Sequence, residues 1–283
     1  MPGCPHAERA DPSRPSLFSK EAILAIVTLR ELLDAGVHYG HRTSRRNPKM
    51  DRYIFGKRNS IHIVDLRETI RGLIKACRFL HRLGEEGQQV LLVGTKRQAA
   101  PVIEECAARA QTPYVSNRWL GGTLTNFKTI RSRLSRLEEL EKLEETGEIN
   151  SYSKKMISTL QREKRKIKGN LEGIRKMTTL PGALVVIDPK REKNAVHEAN
   201  KLGIPVICLV DTDSDPTVAD IPIPGNDDAI RSIQLITNKL TDAYVAGRAQ
   251  WERPSSPNRA KRNSFVGRTS AASLWMGRPI PRS

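Results

Sequence analysis

Apolar positions in this chain fall into two kinds of pattern, and their alternation predicts the architecture. Residues 90–93, 183–187 and 205–210 are short runs without a polar break, as strands buried on both faces require. Helical spacing follows each of them: Val102, Ile103 and Cys106 after the first, Ala195, Val196 and Ala199 after the second, and a last helix over about residues 227–245. Strand and helix in alternation imply a parallel sheet flanked by helices through right-handed crossovers, an α/β fold of the Rossmann-like or flavodoxin-like kind.

Ahead of that core, Thr28-Leu29-Arg30-Glu31 has the spacing of a capping box and Gly36 supplies a left-handed stop, so a short helix lies between them. Residues 53–55 and 61–64 read as short strands around the turn-like stretch 56–60. Asp65, three residues before Glu68, opens a helix that carries Leu66, Ile70, Leu73, Ile74, Cys77 and Leu80 up to Gly84.

Residues 126–177 break the strand-helix rhythm. Ile130, Leu134, Leu137, Leu140 and Leu143 form one stripe, Gly147 interrupts, and Met156, Leu160, Ile167, Leu171 and Ile174 form another. Two helices joined near Thr146-Gly147 would zip along these stripes as an inserted antiparallel helical hairpin, a coiled-coil arm. Roughly 18 residues at ~1.5 Å each give it a length of about 27 Å; the alternative is a hairpin lying flat on the domain. The expected organisation is an N-terminal extension over 1–26, an α/β domain over 27–125 and 178–246, the arm over 126–177, and a basic tail over 247–283.

Charge narrows the function. Forty-eight Lys and Arg face 31 Asp and Glu over 283 residues, a net of +17, which points to a polyanionic partner. Aromatic residues are only 5%, so phosphate contacts rather than rows of stacked bases should dominate. Cys4, Cys77, Cys106 and Cys208 form no C-x-x-C pair, against both a zinc ribbon and a disulfide framework and in favour of a reducing compartment. No apolar run near the start is long enough to span a membrane. Residues 1–26 read as a disordered extension, with an organellar transit peptide as the alternative. The tail sets eight basic residues against Glu252 alone, among Pro, Ser and Asn that favour disorder.

The densest basic stretch is 42–58. Arg42, Arg45, Arg46, Lys49, Arg52, Lys57 and Arg58 stand there against Asp51, with Tyr53 and Phe55 between them, and guanidinium forks bind phosphate oxygens bidentately. Gly94-Thr95-Lys96-Arg97 follows a buried strand; read as the opening of a helix, it offers amides, a positive helix end and two cations to a phosphate. Arg118 and Lys128, on either side of the arm's start, complete the expected RNA contacts. Trp119 is read as a structural anchor at the base of the arm, with stacking on a base as the alternative, and Gly121 and Gly122 allow unusual dihedrals. His38 and His41, three apart, lack a third ligand nearby and favour packing over a metal. Asp188, Asp211, Asp213 and Asp215 fall at the carboxyl ends of expected parallel strands, where a structural divalent cation or simple turn chemistry accounts for them. No cofactor is otherwise expected. The rival from another class is an enzyme holding a nucleotide at Gly94 to Arg97 and the Asp211 turn, though the glycine spacing of nucleotide loops is absent.

Several blocks together resemble the bacterial type of small-subunit ribosomal protein two. They include Leu29-Arg30-Glu31-Leu32-Leu33-Asp34-Ala35-Gly36-Val37-His38-Tyr39-Gly40-His41, Asn47-Pro48-Lys49-Met50, residues 53–56, 59–65, 118–130 and 180–189, Gly203-Ile204-Pro205, and residues 223–232. The resemblance spans about residues 27–245. It implies a parallel-sheet domain with a protruding hairpin on the solvent side of the small subunit, contacts to small-subunit ribosomal RNA and adjacent proteins, and support for recruitment of ribosomal protein one. It implies no catalysis, no small-molecule substrate and no membrane. A cytoplasmic ribosome of bacterial type is the expected location, with an organellar ribosome as the alternative. Some bacterial relatives carry a histidine-bearing acidic stretch after the strand ending near Asp188, a place for a metal. Here it reads Pro189-Lys190-Arg191-Glu192-Lys193, which weakens that expectation.

Overall fold

A computed structural model describes residues 27–252; the expectations for 1–26 and 253–283 lie outside the described residues. Its centre is a five-stranded parallel sheet, and beside it lies a three-stranded antiparallel sheet. The chain runs α1 (Leu29–Asp34), β1 (Tyr39–Arg42), β2 (Ile54–Arg58), β3 (Ile61–Val64), α2 (Leu66–Glu85), β4 (Val90–Val93), α3 (Ala100–Ala110) and β5 (Tyr114–Val115). It continues through α4 (Phe127–Glu145), α5 (Lys154–Leu171), β6 (Ala183–Ile187), α6 (Lys193–Leu202), β7 (Val206–Val210), β8 (Ile221–Pro224) and α7 (Ile230–Trp251). The α/β reading of the sequence therefore holds.

The parallel order is β5-β4-β6-β7-β8, so the chain leaves β4 for β5 on one side and returns to β6 on the other. That reversal makes the carboxyl ends of β4 and β6 the switch point where open α/β sheets place ligands. Alternation within the strands explains their unbroken hydrophobicity. Val90, Leu92, Val185, Ile187, Ile207 and Leu209 enter one core cluster with α2, α3 and α7. Leu91, Val93, Leu184, Val186, Cys208 and Val210 enter the other, with α6 and the base of the arm.

Three strands were not foreseen. β1, Tyr-Gly-His-Arg, carries no apolar run; β5 is only two residues; and β8, Ile-Pro-Ile-Pro, contains prolines that argue against a strand. β8 is an edge strand pairing only with β7, and alternate N–H groups of an edge strand face away from the ladder, so Pro222 and Pro224 remove no bond. The strand expected over 53–55 is instead β2, and the turn contracts to Asn59 and Ser60, both with positive φ.

α7 runs on to Trp251, so residues 247–251, read as the start of the tail, are helical. Small residues let α2 and α7 touch: a Cβ on Gly84 would lie 2.6 Å from the Tyr244 carbonyl, and one on Gly247 would collide with that of His81. The arm's helices pair antiparallel, joined by Gly147 and a 3-10 turn over Glu148–Ser151. Arg175 meets Glu141 at 2.8 Å and Lys164 meets Glu144 across them. Ile130, Leu134, Leu171 and Ile174 join the body's core, whereas Leu137, Leu140 and Leu160 are buried outside both clusters. Met156, expected in the stripe, is 46% exposed; the half-buried position is its neighbour Ile157.

Candidate nucleic-acid interface

The basic stretch 42–58 folds as a rigid platform. It winds through 3-10 turns at Thr43–Arg45 and Pro48–Tyr53 before entering β2. Met50 and Tyr53 plug it into the core beside Trp119, Asn47 caps the second turn through Lys49 N, and Asn47 N donates to Thr212 O at 2.9 Å. Gly40 lies so close to Thr212 that a Cβ would stand 2.6 Å from its Cγ2. With Met50 and Tyr53 turned inward, the platform turns its cations outward.

Arg42, Arg45, Arg46, Lys49, Lys57 and Arg58 are all exposed. Arg46 pairs with Asp51 at 3.0 Å and Lys49 with Asp215 at 2.6 Å, while Arg52 stacks on the Tyr53 ring at 4.6 Å. Arg42, Arg45, Lys57 and Arg58 have no carboxylate within ion-pair distance among the described residues. Of the two interleaved aromatics, Tyr53 is core and Phe55 is 79% exposed. Arg97, Arg118 and Lys128 are exposed as well, Lys128 in the first turn of α4.

Lys96 is a correction. The helix expected to open at Gly94 starts at Ala100, and Thr95 N donates to Glu192 Oε1 at 3.2 Å, with the Thr95 hydroxyl on the same oxygen. Lys96, 13% exposed, points into the switch point, with Nζ 2.6 Å from Asp228, 2.8 Å from Asp227 and 3.6 Å from Asp188. Its ammonium is taken up by the chain's own carboxylates, so the structure gives no support to the expected phosphate contact. At the switch point, where the rival reading puts a nucleotide phosphate, this ammonium is ringed by carboxylates that would repel one.

His41 sits in the same crater. Its Nδ1 lies 2.8 Å from Asp211 Oδ2, and its Nε2 lies 3.5 Å from Asp228 and 4.0 Å from Asp213. The hydrogen bond to Asp211, assisted by the neighbouring carboxylates against the cost of burial, raises its pKa to about 9. Burial, with Asp211 and Asp188 nearby, pushes the Asp227 carboxyl well above its ordinary range. Burial works against the Lys96 cation, yet its bonds to Asp227 and Asp228 raise its pKa overall.

The expected aspartate group is rearranged accordingly. His41, Asp211, Asp227 and Asp228 bring ligand atoms within 4.8 Å of one another. Asp213 instead takes Lys190 at 2.7 Å, Asp215 takes Lys49, and Asp188 faces Lys96. His38 lies tilted against the Tyr39 ring, 4.0 Å between centroids, and does not join His41. The donor set has the chemistry of a cation site, but His41 and Lys96 already sit on its carboxylate oxygens, and a divalent ion would compete with both. Asp227 and Asp228 escaped the sequence reading because Pro-Gly-Asn-Asp-Asp looks like an ordinary turn.

Trp119 is buried, 6% exposed, and its partner was not foreseen. Glu198 on α6 accepts from Trp119 Nε1 (3.0 Å), Gly122 N (2.8 Å), Leu124 N (3.0 Å) and Thr125 N (3.2 Å). Burial opposes the charge, but these donors hold its carboxyl below the usual range. The loop before the arm is thus wound around one carboxylate. Gly122 has φ +88°, whereas a Cβ on exposed Gly121 would meet nothing, so Gly121 contributes no close approach.

A family model described as Ribosomal protein S2 matches residues 32–247. A small ribosomal subunit protein uS2 from Rhodopirellula baltica is 56% identical over 230 residues, covering 81% of this chain and 88% of the relative. One from Borreliella burgdorferi is 53% identical over 222 residues, covering 78% and 85%. A uS2c protein from Cyanophora paradoxa is 54% identical over 224 residues, covering 79% and 96%.

Proposed function

We propose, from the premise that this chain belongs to the ribosomal protein S2 family, that it grips small-subunit ribosomal RNA through the exposed platform 42–58 and braces that grip with the arm. The family is a structural component of the small ribosomal subunit and not an enzyme. The observation that carries the RNA reading is the set of exposed cations without carboxylate partners, Arg42, Arg45, Lys57 and Arg58, on a segment pinned to the sheet by Met50, Tyr53 and Asn47. A pinned backbone loses little freedom on binding, and each neutralised phosphate releases counterions. Arg97, Arg118 and Lys128 extend the basic surface toward the arm. Adjacent small-subunit proteins, with ribosomal protein one among them, are the protein partners this reading includes.

Binding of small-subunit ribosomal RNA over a salt series tests the assignment. Each phosphate contact contributes a slope of about −0.7 to −0.9 in log affinity against log salt. The triple variant R42E/R45E/R58E should lose about 2 to 3 of that slope. An unchanged slope would move the contact surface off this platform.

A further inference from the structure

Helix α2 is buried along one side, where Leu73, Ala76, Cys77, Leu80 and Leu83 enter the core. Gly72 lies so close to β8 that a Cβ would stand 2.5 Å from the Pro222 carbonyl oxygen. Every residue the helix leaves exposed is a cation: Arg67, Arg71, Lys75, Arg78 and Arg82. Steps of three and four residues keep them within an arc of about 80° and string them over about 22 Å. α7, of similar length, exposes Ile230, Arg231, Gln234, Asp242 and Ala249 instead, so solvation alone does not call for a row of cations.

Like charges three or four apart on a helix repel one another, and every neighbouring pair in this row is of that kind. Relief within the chain is slight. Arg71 pairs with Glu68, while Arg67 and Lys75 have no carboxylate within ion-pair distance among the described residues. With its other side fixed in the core, α2 holds the row as a rigid ridge. The ridge adjoins the platform. A hollow of ≈ 480 Å³ is lined by Arg52 of the platform and by Arg71 and Lys75 of α2, with Glu68 and Asp220 also on its wall.

A partner for such a ridge carries negative charges in a line at a regular interval. Arg67, Arg71 and Lys75 follow one another at about 6 Å along the helix axis, a step close to that between successive phosphates of one RNA strand. Guanidinium forks take phosphate oxygens two at a time. We infer that α2 is a second RNA-contact surface, on which the sugar-phosphate backbone of one strand follows the row from Arg67 to Arg82 and passes the platform at the hollow beside Arg52. The inference rests on the RNA-binding reading and adds a face that neither the platform nor the arm includes. No side chain of the row is asked to read a base, so the contact is indifferent to sequence.

The test uses the full chain with protein-free small-subunit ribosomal RNA. In wild type, bound RNA should slow reductive methylation of Lys75 several-fold, while Lys201, exposed on α6, reacts as before. The variant R67Q/R71Q/K75Q should lose about 2 to 3 of the slope of log affinity against log salt. It should keep its Tm, since glutamine suits a helix and the change removes repulsion; if it unfolds, protection of Lys75 decides. RNA that binds wild type and leaves Lys75 unprotected overturns the ridge and leaves the platform standing. So does a folded variant with the wild-type slope; if it also leaves small subunits at lower salt than wild type, the ridge meets an acidic protein surface instead. A wild-type chain that binds no RNA overturns ridge and platform together.

Discussion

His41 ties the N-terminal sheet to the parallel one, and its protonation makes that tie depend on pH. The ring lies 2.8 Å from Asp211, which is only 1% exposed, and itself is 17% exposed. Its pKa rises from 6.5 to about 9 on folding. At ~1.4 kcal/mol per pH unit this proton contributes at most about 3 kcal/mol to stability. The sign follows from a pKa raised in the folded state. The contribution is whole below 6.5, where the unfolded chain is protonated too, and it fades as pH rises through about 9. Between about pH 7 and about pH 9.5 roughly 2 kcal/mol should disappear.

Wild type alone would not isolate this, because burial raises the thiol of Cys77 from 9.0 to about 12 and that of Cys208 further. Unfolded thiols then ionise first and lower stability in any variant. Urea unfolding followed by tryptophan fluorescence, for wild type and His41→Gln at both pH values, removes that background by subtraction. The stability difference should shrink by about 2 kcal/mol on going to the higher pH. A difference that stays constant, or grows, would show that the ring is neutral and that the tie is ordinary packing.

Two further outcomes follow from the same buried charges. Lys96→Met leaves Asp227, Asp228 and Asp188 without their shared ammonium and should cost about 3 kcal/mol, or a fall of roughly 10 °C in Tm by scanning calorimetry; an unchanged Tm would show that the crater does not need it. Glu198→Gln turns an amide toward N–H donors that now share one carboxylate. It should cost about 2–4 kcal/mol and shift Trp119 emission to longer wavelength, and a loss below about 1 kcal/mol would make the loop self-supporting.

What could be read from the chain was whatever a local pattern carries. The three buried strands, the capping box at Thr28, present with its reciprocal hydrogen bonds, and the arm's leucine stripe all follow from spacing alone. The platform was legible because charge density is a composition signal. Lys96 misled because a cation after a strand looks the same whether it faces solvent or three aspartates from two distant loops. Glu198 was invisible for a related reason. A glutamate on an amphipathic helix gains meaning only when Trp119 and the loop after it are brought to it in space. Asp227 and Asp228 meet His41 across more than 180 residues, and no local spacing encodes such a meeting.

The claim beneath all of this is that a rigid α/β body presents cations fixed by its fold to a folded RNA. Sedimentation tests it most directly. In low salt the protein should travel with small ribosomal subunits, and in high salt it should leave them, with R42E/R45E/R58E leaving at lower salt than wild type. A protein that sediments alone at every ionic strength, or a variant that holds to the subunit as firmly as wild type, would contradict it.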